Sequence, residues 1–174
     1  IGPPLRDSFQ EYYNLNEEQT EFAVKKYRER FCAKGIYENI LYPGMKELLN
    51  RLKESGCHLA VASSKLEVSV TEILRYFAIG DCFEVTVGSE PDGRRSKKEE
   101  VVEEALHRFF TDGKIPFDDI VMVGDRKFDI VGGKEYGLHQ IGVTYGYAPE
   151  GELEEAGAEY LAHSVEELGR KLLG

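Results

Sequence analysis

The alternation of short apolar runs with helical runs, beginning at Tyr42, most constrains what this chain can fold into. Pro43 and Gly56 bracket a predicted helix over 43–56, with Met45, Leu48, Leu49 and Leu52 on one face. Strands are predicted at 57–63, 83–88, 120–124, 139–146 and 159–162. Helices are predicted between and after them at 67–77, 98–110, 129–137, 150–157 and 164–173. Strands separated by helices join as βαβ units, which give a parallel sheet covered by helices on both faces. The expected class is therefore α/β with a doubly wound parallel sheet.

Residues 1–40 follow another pattern. Asn16, with Gln19 three positions on, has the form of a capping box. Ala23, Tyr27 and Phe31 then recur at helical spacing through "EEQTEFAVKKYRERF". The aromatic stripe is expected to pack into a core.

Composition narrows the partners. The 174 residues are 41% hydrophobic and 31% charged, the balance of an ordinary globular protein with a real core. A net charge of -10 repels nucleic acid polymers and anionic membranes, so neither is an expected partner. A negatively charged small substrate needs a local positive site or a cation to offset that field. Cys32, Cys57 and Cys82 form no CxxC pattern and are expected to be reduced, mostly buried thiols of a cytoplasmic protein.

In a doubly wound sheet, ligands bind at the carboxyl ends of the strands. The first end carries Ser63, Ser64 and Lys65, and the second leads through "GSEPDGRRSKK" to Lys97 and Lys98. The third carries Gly124 and Asp125, with Asp129 one helical turn on. Hydroxyls and backbone N–H groups suit a phosphate, and a lysine supplies fixed charge. A carboxylate suits Mg²⁺, which keeps several waters. Asp129 can hold a metal-bound water or orient the lysine. Taken singly, Ser-Ser and Asp after a strand are usually helix caps, and a lone lysine is usually solvated charge. Their placement at successive strand ends is what points to a site.

"VASSK", "GSEPDGRRSKKEEVV", "VMVGDRKFDIVGG" and "IGVTYGY", preceded by "LYPGMKELLNRL", resemble the haloacid dehalogenase superfamily in order and spacing. Within it they resemble the phosphoglycolate phosphatase-like branch. The opening "IGPPLRDSF" resembles part of that branch's helical cap. "ENILYPG" and the DGxR pattern before the lysine resemble bacterial enzymes described as 5′-nucleotidases. The resemblance implies a Rossmann-like core over 39–174 and the remainder of an α-helical cap over 1–38. It implies a Mg²⁺-dependent phosphomonoesterase acting on a small phosphorylated metabolite. Ser63 would hydrogen-bond the phosphoryl group, and Lys98, with Lys97 as the one-residue alternative, would neutralise it. Asp125 would be the Mg²⁺ ligand and Asp129 its supporting acid. Ser64, Lys65 and Arg126 lie within reach of substrate or phosphate, though plain surface roles suit them as well.

The family's nucleophile comes from a DxDGT run on the central strand, with a general acid–base two residues on. No DxD occurs in the 174 residues. The expectation is that the natural protein is longer, that the sheet of this chain is open at its centre, and that this chain alone turns over no substrate. The carboxylates argue against the metal-free dehalogenases, whereas a phosphomutase shares the motifs. A module that binds phosphate or a partner without catalysis is the reading from another class. A DxDGT upstream of Ile1 decides for the enzyme.

Overall fold

The computed structural model describes residues 5–174. Helices α1 (Leu5–Tyr13) and α2 (Glu17–Ala33) come first. The alternating part then runs α3 (Met45–Glu54), β1 (Ala60–Leu66), α4 (Glu67–Tyr76), β2 (Val85–Ser89), α5 (Lys98–Phe109) and β3 (Val121–Gly124). It ends with α6 (Lys127–Glu135), β4 (His139–Val143), α7 (Glu152–Glu155), β5 (Tyr160–Ala162) and α8 (Val165–Leu173).

Every strand pairing is parallel, as the βαβ rhythm requires, but the strands form two sheets. β1 pairs with β2, and β3, β4 and β5 follow one another in the second sheet. Among the described residues, the outer edges of β1 and β3 carry no strand. Ala62 on β1 and Met122 on β3 pack against one apolar cluster with Val102 and Leu106 of α5, so these two edges lie toward each other. Val121 and Val123 on β3 remain 39% and 36% exposed, unusual for β-branched residues of a parallel sheet.

Helices bridge the two sheets on both faces. On one face α5 packs on β1 and β2, α6 packs on β3 and β4, and α5 and α6 pack on each other. On the other, Leu48 and Leu52 of α3 join Ile141 and Val143 of β4 with Leu168 of α8. Leu49, on the same helix, joins Ile79 and Cys82 in the turn between α4 and β2, with Leu59 just before β1 packed against them. Ile141 and Val143 face α3 because alternate strand residues point to the same side.

Several local expectations need correction. β1 starts at Ala60 rather than 57. Gly56 (φ +82°) closes α3 and the Cys57 N–H donates to Leu52 O at 3.0 Å, so the first residues of the expected strand are spent on that turn. The strand also continues through Ser64 and Lys65 to Leu66 rather than ending at Ser63. α6 begins at Lys127, two residues before the expected 129, and β4 ends at Val143 rather than 146. The Asn16 capping box is present, with Gln19 N donating to Asn16 Oδ1 at 2.9 Å and Asn16 N to Gln19 Oε1 at 3.1 Å.

The aromatic stripe does not enter the core. Thr20 and Val24 are the buried residues of α2. Tyr27 is half-exposed and stacks on Phe31 at 5.7 Å, and Phe9 of α1 meets its edge at 6.5 Å. The stripe faces α1 instead, an element the sequence reading did not assign. The opening "IGPPLRDSF" lies partly outside the described residues. Of the cysteines, Cys82 is buried, Cys57 is half-buried and Cys32 is exposed, so the expectation of mostly buried thiols holds for one fully and one in part.

Leu48→Ala removes a 4%-exposed side chain from the helix that ties the sheets together. It is expected to cost about 2–5 kcal/mol in urea unfolding. A loss below about 1 kcal/mol would mean that α3 does not hold the second sheet.

Candidate active site

The carboxyl end of β1 is not a regular strand. Ala62 pairs with Val87 and Leu66 with Ser89, so Ser63, Ser64 and Lys65 together face Gly88 alone. Such a bulge turns side chains and N–H groups out of the ladder and toward a site. The Lys65 N–H donates to Ser63 Oγ at 3.2 Å inside it. Lys65 lays its ammonium 4.1 Å from the centre of the Phe31 ring on α2. Burial of that end pushes its pKa below the ordinary lysine value.

Lys98, the first residue of α5, joins three elements. Its Nζ donates to Ala62 O at 2.9 Å, immediately before the bulge, and pairs with Asp129 Oδ1 at 2.8 Å. The two side chains are 13% and 11% exposed. Asp129 Oδ2 accepts from the Arg126 N–H at 3.0 Å, so both of its oxygens are engaged. Two glycines make room for this pair. A Cβ on Gly124 would fall inside the Asp129 side chain, and one on Gly132 would lie 2.8 Å from Lys98 Cγ. Lys97 is exposed and its side chain takes no part.

Asp125 follows β3 directly. Its Oδ2 accepts from the Tyr147 N–H at 3.0 Å, and the chain at Gly146 passes so close that a Cβ there would clash with the carboxylate. Tyr145 crosses Tyr42 edge to face at 5.1 Å. The Tyr145 hydroxyl is buried with no hydrogen-bond partner among the described residues. Burial first, then Tyr42 and Asp125, push its pKa up to about 12. Arg126 points elsewhere: its Nε and Nη2 grip the two oxygens of Glu152 on α7 at 2.7 and 3.2 Å. Among the described residues no three of His, Cys, Asp and Glu gather as a metal-binding group.

The family model described as haloacid dehalogenase-like hydrolase matches residues 1–143. The chain belongs to this family. A 5′-nucleotidase of Pseudomonas aeruginosa is 41% identical over 153 residues, which cover 88% of this chain and 67% of that protein. The tyrosine-protein kinase PtkA of Mycobacterium tuberculosis is 34% identical over 176 residues, covering 100% of this chain and 58% of that protein. The chain thus spans between 58% and 67% of the length of these two relatives. The crystal structure of "a predicted phosphatase from Clostridium acetobutylicum" is 44% identical and superposes with a TM-score of 0.93 over 99% of this chain and 78% of that one.

Within this haloacid dehalogenase-like core, Lys98 links Ala62, at the start of the bulge that holds Ser63, to Asp129, and Asp125 directly follows β3. Ser64 shares the bulge. Arg126 is taken by Glu152, and Lys65 rests on Phe31. Sequence reasoning missed Glu152, Phe31 and Tyr145. A contact spanning 26 residues, such as Arg126 to Glu152, leaves no local spacing to read. "TYGY" offered a signal in its two tyrosines, but not the direction in which they point.

The Arg126 pair makes a pH prediction. Hydrogen bonds from Arg126 hold the Glu152 carboxyl below its ordinary 4.5. A carboxyl lowered on folding stabilises the fold above pH 4.5, and that contribution fades as pH falls through the lowered value. Unfolding free energy measured between about pH 3 and 6 is expected to fall more shallowly toward acid in Glu152→Gln than in the natural chain. Equal slopes would mean that the pair is no tighter in the fold than in the unfolded chain.

Proposed function

We propose that the protein is a Mg²⁺-dependent phosphomonoesterase acting on a small phosphorylated metabolite through an aspartyl-phosphate. The observation that carries this reading is the convergence on Lys98: its ammonium touches the base of the Ser63 bulge and the buried Asp129 at once. In this reading the Ser63 hydroxyl and the turned-out N–H groups of the bulge donate to phosphoryl oxygens. Lys98 offsets their charge, and Asp129 holds Lys98 in place.

Asp125 suits a hard cation, because it offers a carboxylate at the strand end whose Oδ2 is fixed by the Tyr147 N–H. Asp129 suits the role of supporting acid rather than ligand, because both its oxygens are committed. Mg²⁺ bound at Asp125 would lower the charge on the phosphoryl oxygens and fix the phosphate's orientation. The nucleophile is an aspartate on a strand seated between β1 and β3, where it would pair both free edges. Its oxygen forms a bond to phosphorus while the ester oxygen leaves with a proton from a neighbouring acid. Water then attacks the phosphorus and frees the aspartate. The cap over 1–38, the cytoplasmic setting inferred from three free thiols, and exclusion of nucleic acid polymers and membranes belong to the same reading.

A nucleoside monophosphate is the second reading of the substrate. The 41%-identical 5′-nucleotidase and the half-exposed Tyr27–Phe31 stack beside Lys65 favour it over phosphoglycolate.

Two assays test the proposal. The 174-residue chain alone is expected to release no phosphate from p-nitrophenyl phosphate with Mg²⁺. The protein with its natural termini is expected to do so, to lose the activity to EDTA and regain it with Mg²⁺. Asp125→Asn is expected to lower kcat/KM by at least about 10²-fold, on the scale of a lost charge-stabilising group. Turnover by the chain alone, or an EDTA-resistant rate, would sink the reading.

A further inference from the structure

The bulge at Ser63–Lys65 is clamped at both ends by a single element. At its start, Lys98 of α5 holds Ala62 O. At its end, the carboxylate of Glu67 reaches across the sheet. Glu67 Oε2 accepts from the Gly88 N–H at 3.1 Å, and Oε1 accepts from Arg108 Nη1, also of α5, at 3.1 Å. Arg108 Nη1 also donates to Thr86 O at 3.3 Å, tying the same guanidinium to β2. Arg95, just before α5, completes the clamp. Its guanidinium lies 3.5 Å from Glu67, 2.9 Å from Glu90 and 3.1 Å from Glu104, with a side chain 19% exposed. Arg95 holds a left-handed backbone (φ +53°), a conformation that costs a non-glycine residue energy and persists where surrounding contacts impose it. Gly88 makes the crossing possible: a Cβ there would lie 2.6 Å from Lys65 O and closer still to the Glu67 backbone.

We infer that Glu67 is a positioning residue for the phosphate-holding bulge, with Arg95 and Arg108 as its anchors. Three residues facing one cannot keep the regular ladder of the rest of the strand, so the shape of the bulge depends on what holds its two ends. Lys98 holds one end and Glu67 the other, and both are fixed from α5. The clamp thereby sets the distance between the Ser63 hydroxyl and the Lys98 ammonium, the two groups that must meet the same phosphate. The inference rests on the reading of Ser63 and Lys98 as the phosphate site.

The test uses the protein with its natural termini, p-nitrophenyl phosphate as substrate and inorganic phosphate as competing ligand. Glu67→Gln keeps the shape but loses one acceptor and the charge. It is expected to raise KM and the phosphate inhibition constant about tenfold, to change kcat less than about threefold, and to leave Tm within about 5 °C. Ser63→Ala is expected to raise the phosphate inhibition constant as well. Adding Glu67→Gln to it is then expected to cost less than about twofold more, because the two act through one structure. If Glu67→Gln does not fold, Arg95→Lys, which keeps the charge but not the fork, is read in the same way. A Ser63→Ala effect without a Glu67→Gln effect on KM or phosphate inhibition, or full additivity of the two, overturns this inference alone. No effect of Ser63→Ala on phosphate inhibition overturns the phosphate-site reading and this inference with it.

Discussion

The two sheets meet at the ammonium of Lys98. One bond runs to the carbonyl of Ala62 in the first sheet, and the other to Asp129, in the first turn of the helix after the first strand of the second. Withdrawing an ammonium and a carboxylate from water costs several kcal/mol, so a pair as buried as this one is poor evidence of stability. It fixes position instead. Its geometry depends on two absent side chains, since any Cβ at Gly124 or Gly132 would occupy space that Asp129 or Lys98 fills. A chain whose sheets were held by apolar packing alone would not need either glycine.

Apolar packing provides what the ion pair does not. α3 sends Leu48 and Leu52 to the second sheet and Leu49 to Ile79 and Cys82 in the turn between α4 and β2, while α5 and α6 close the opposite face. The helix layers are therefore continuous where the strands are not. Strand edges with half-exposed valines under continuous helical layers suit an extended segment inserted between them. Parallel strands pair on both sides in buried sheets, so β1 and β3 each offer half of a slot.

Legibility followed the range of each interaction. The capping box at Asn16 is a three-residue contact, and it was readable. The alternation of elements was readable because periods of 2 and 3.6 are written in adjacent residues. The bulge at Ser63 was not, because it depends on Gly88 across the sheet and on how closely the chain at Glu67 passes over it. The strand was therefore expected to end at Ser63, although Ser64 and Lys65 lie within it too. Arg126 shows the same limit: it stands beside Asp125 in sequence, but a carboxylate 26 residues away decides where it points. Lys98 rather than Lys97 faces Asp129 because α5 starts at Lys98, and a one-residue step around a helix turns a side chain through about 100°. The Tyr27–Phe31 stripe had helical spacing, but spacing reports a shared face and not the partner of that face.

The charge balance at the strand ends constrains the chemistry further. Lys98 is matched by Asp129, Arg126 by Glu152, and Arg95 by three glutamates. Asp125 adds a negative charge, on a chain whose net charge is already -10. Lys65 contributes a cation whose charged form is disfavoured by burial against Phe31. A phosphate dianion entering this region would find Lys98, Arg126 and Arg95 already matched. Unpaired like charges in a partly dehydrated site repel by several kcal/mol at an effective dielectric near 20, more than hydrogen bonds from a bulge can offset. The protein's own cations hold its parts in place. In the proposed reading the charge that makes a dianion welcome arrives with a ligand, and a divalent cation held by the Asp125 carboxylate would supply it.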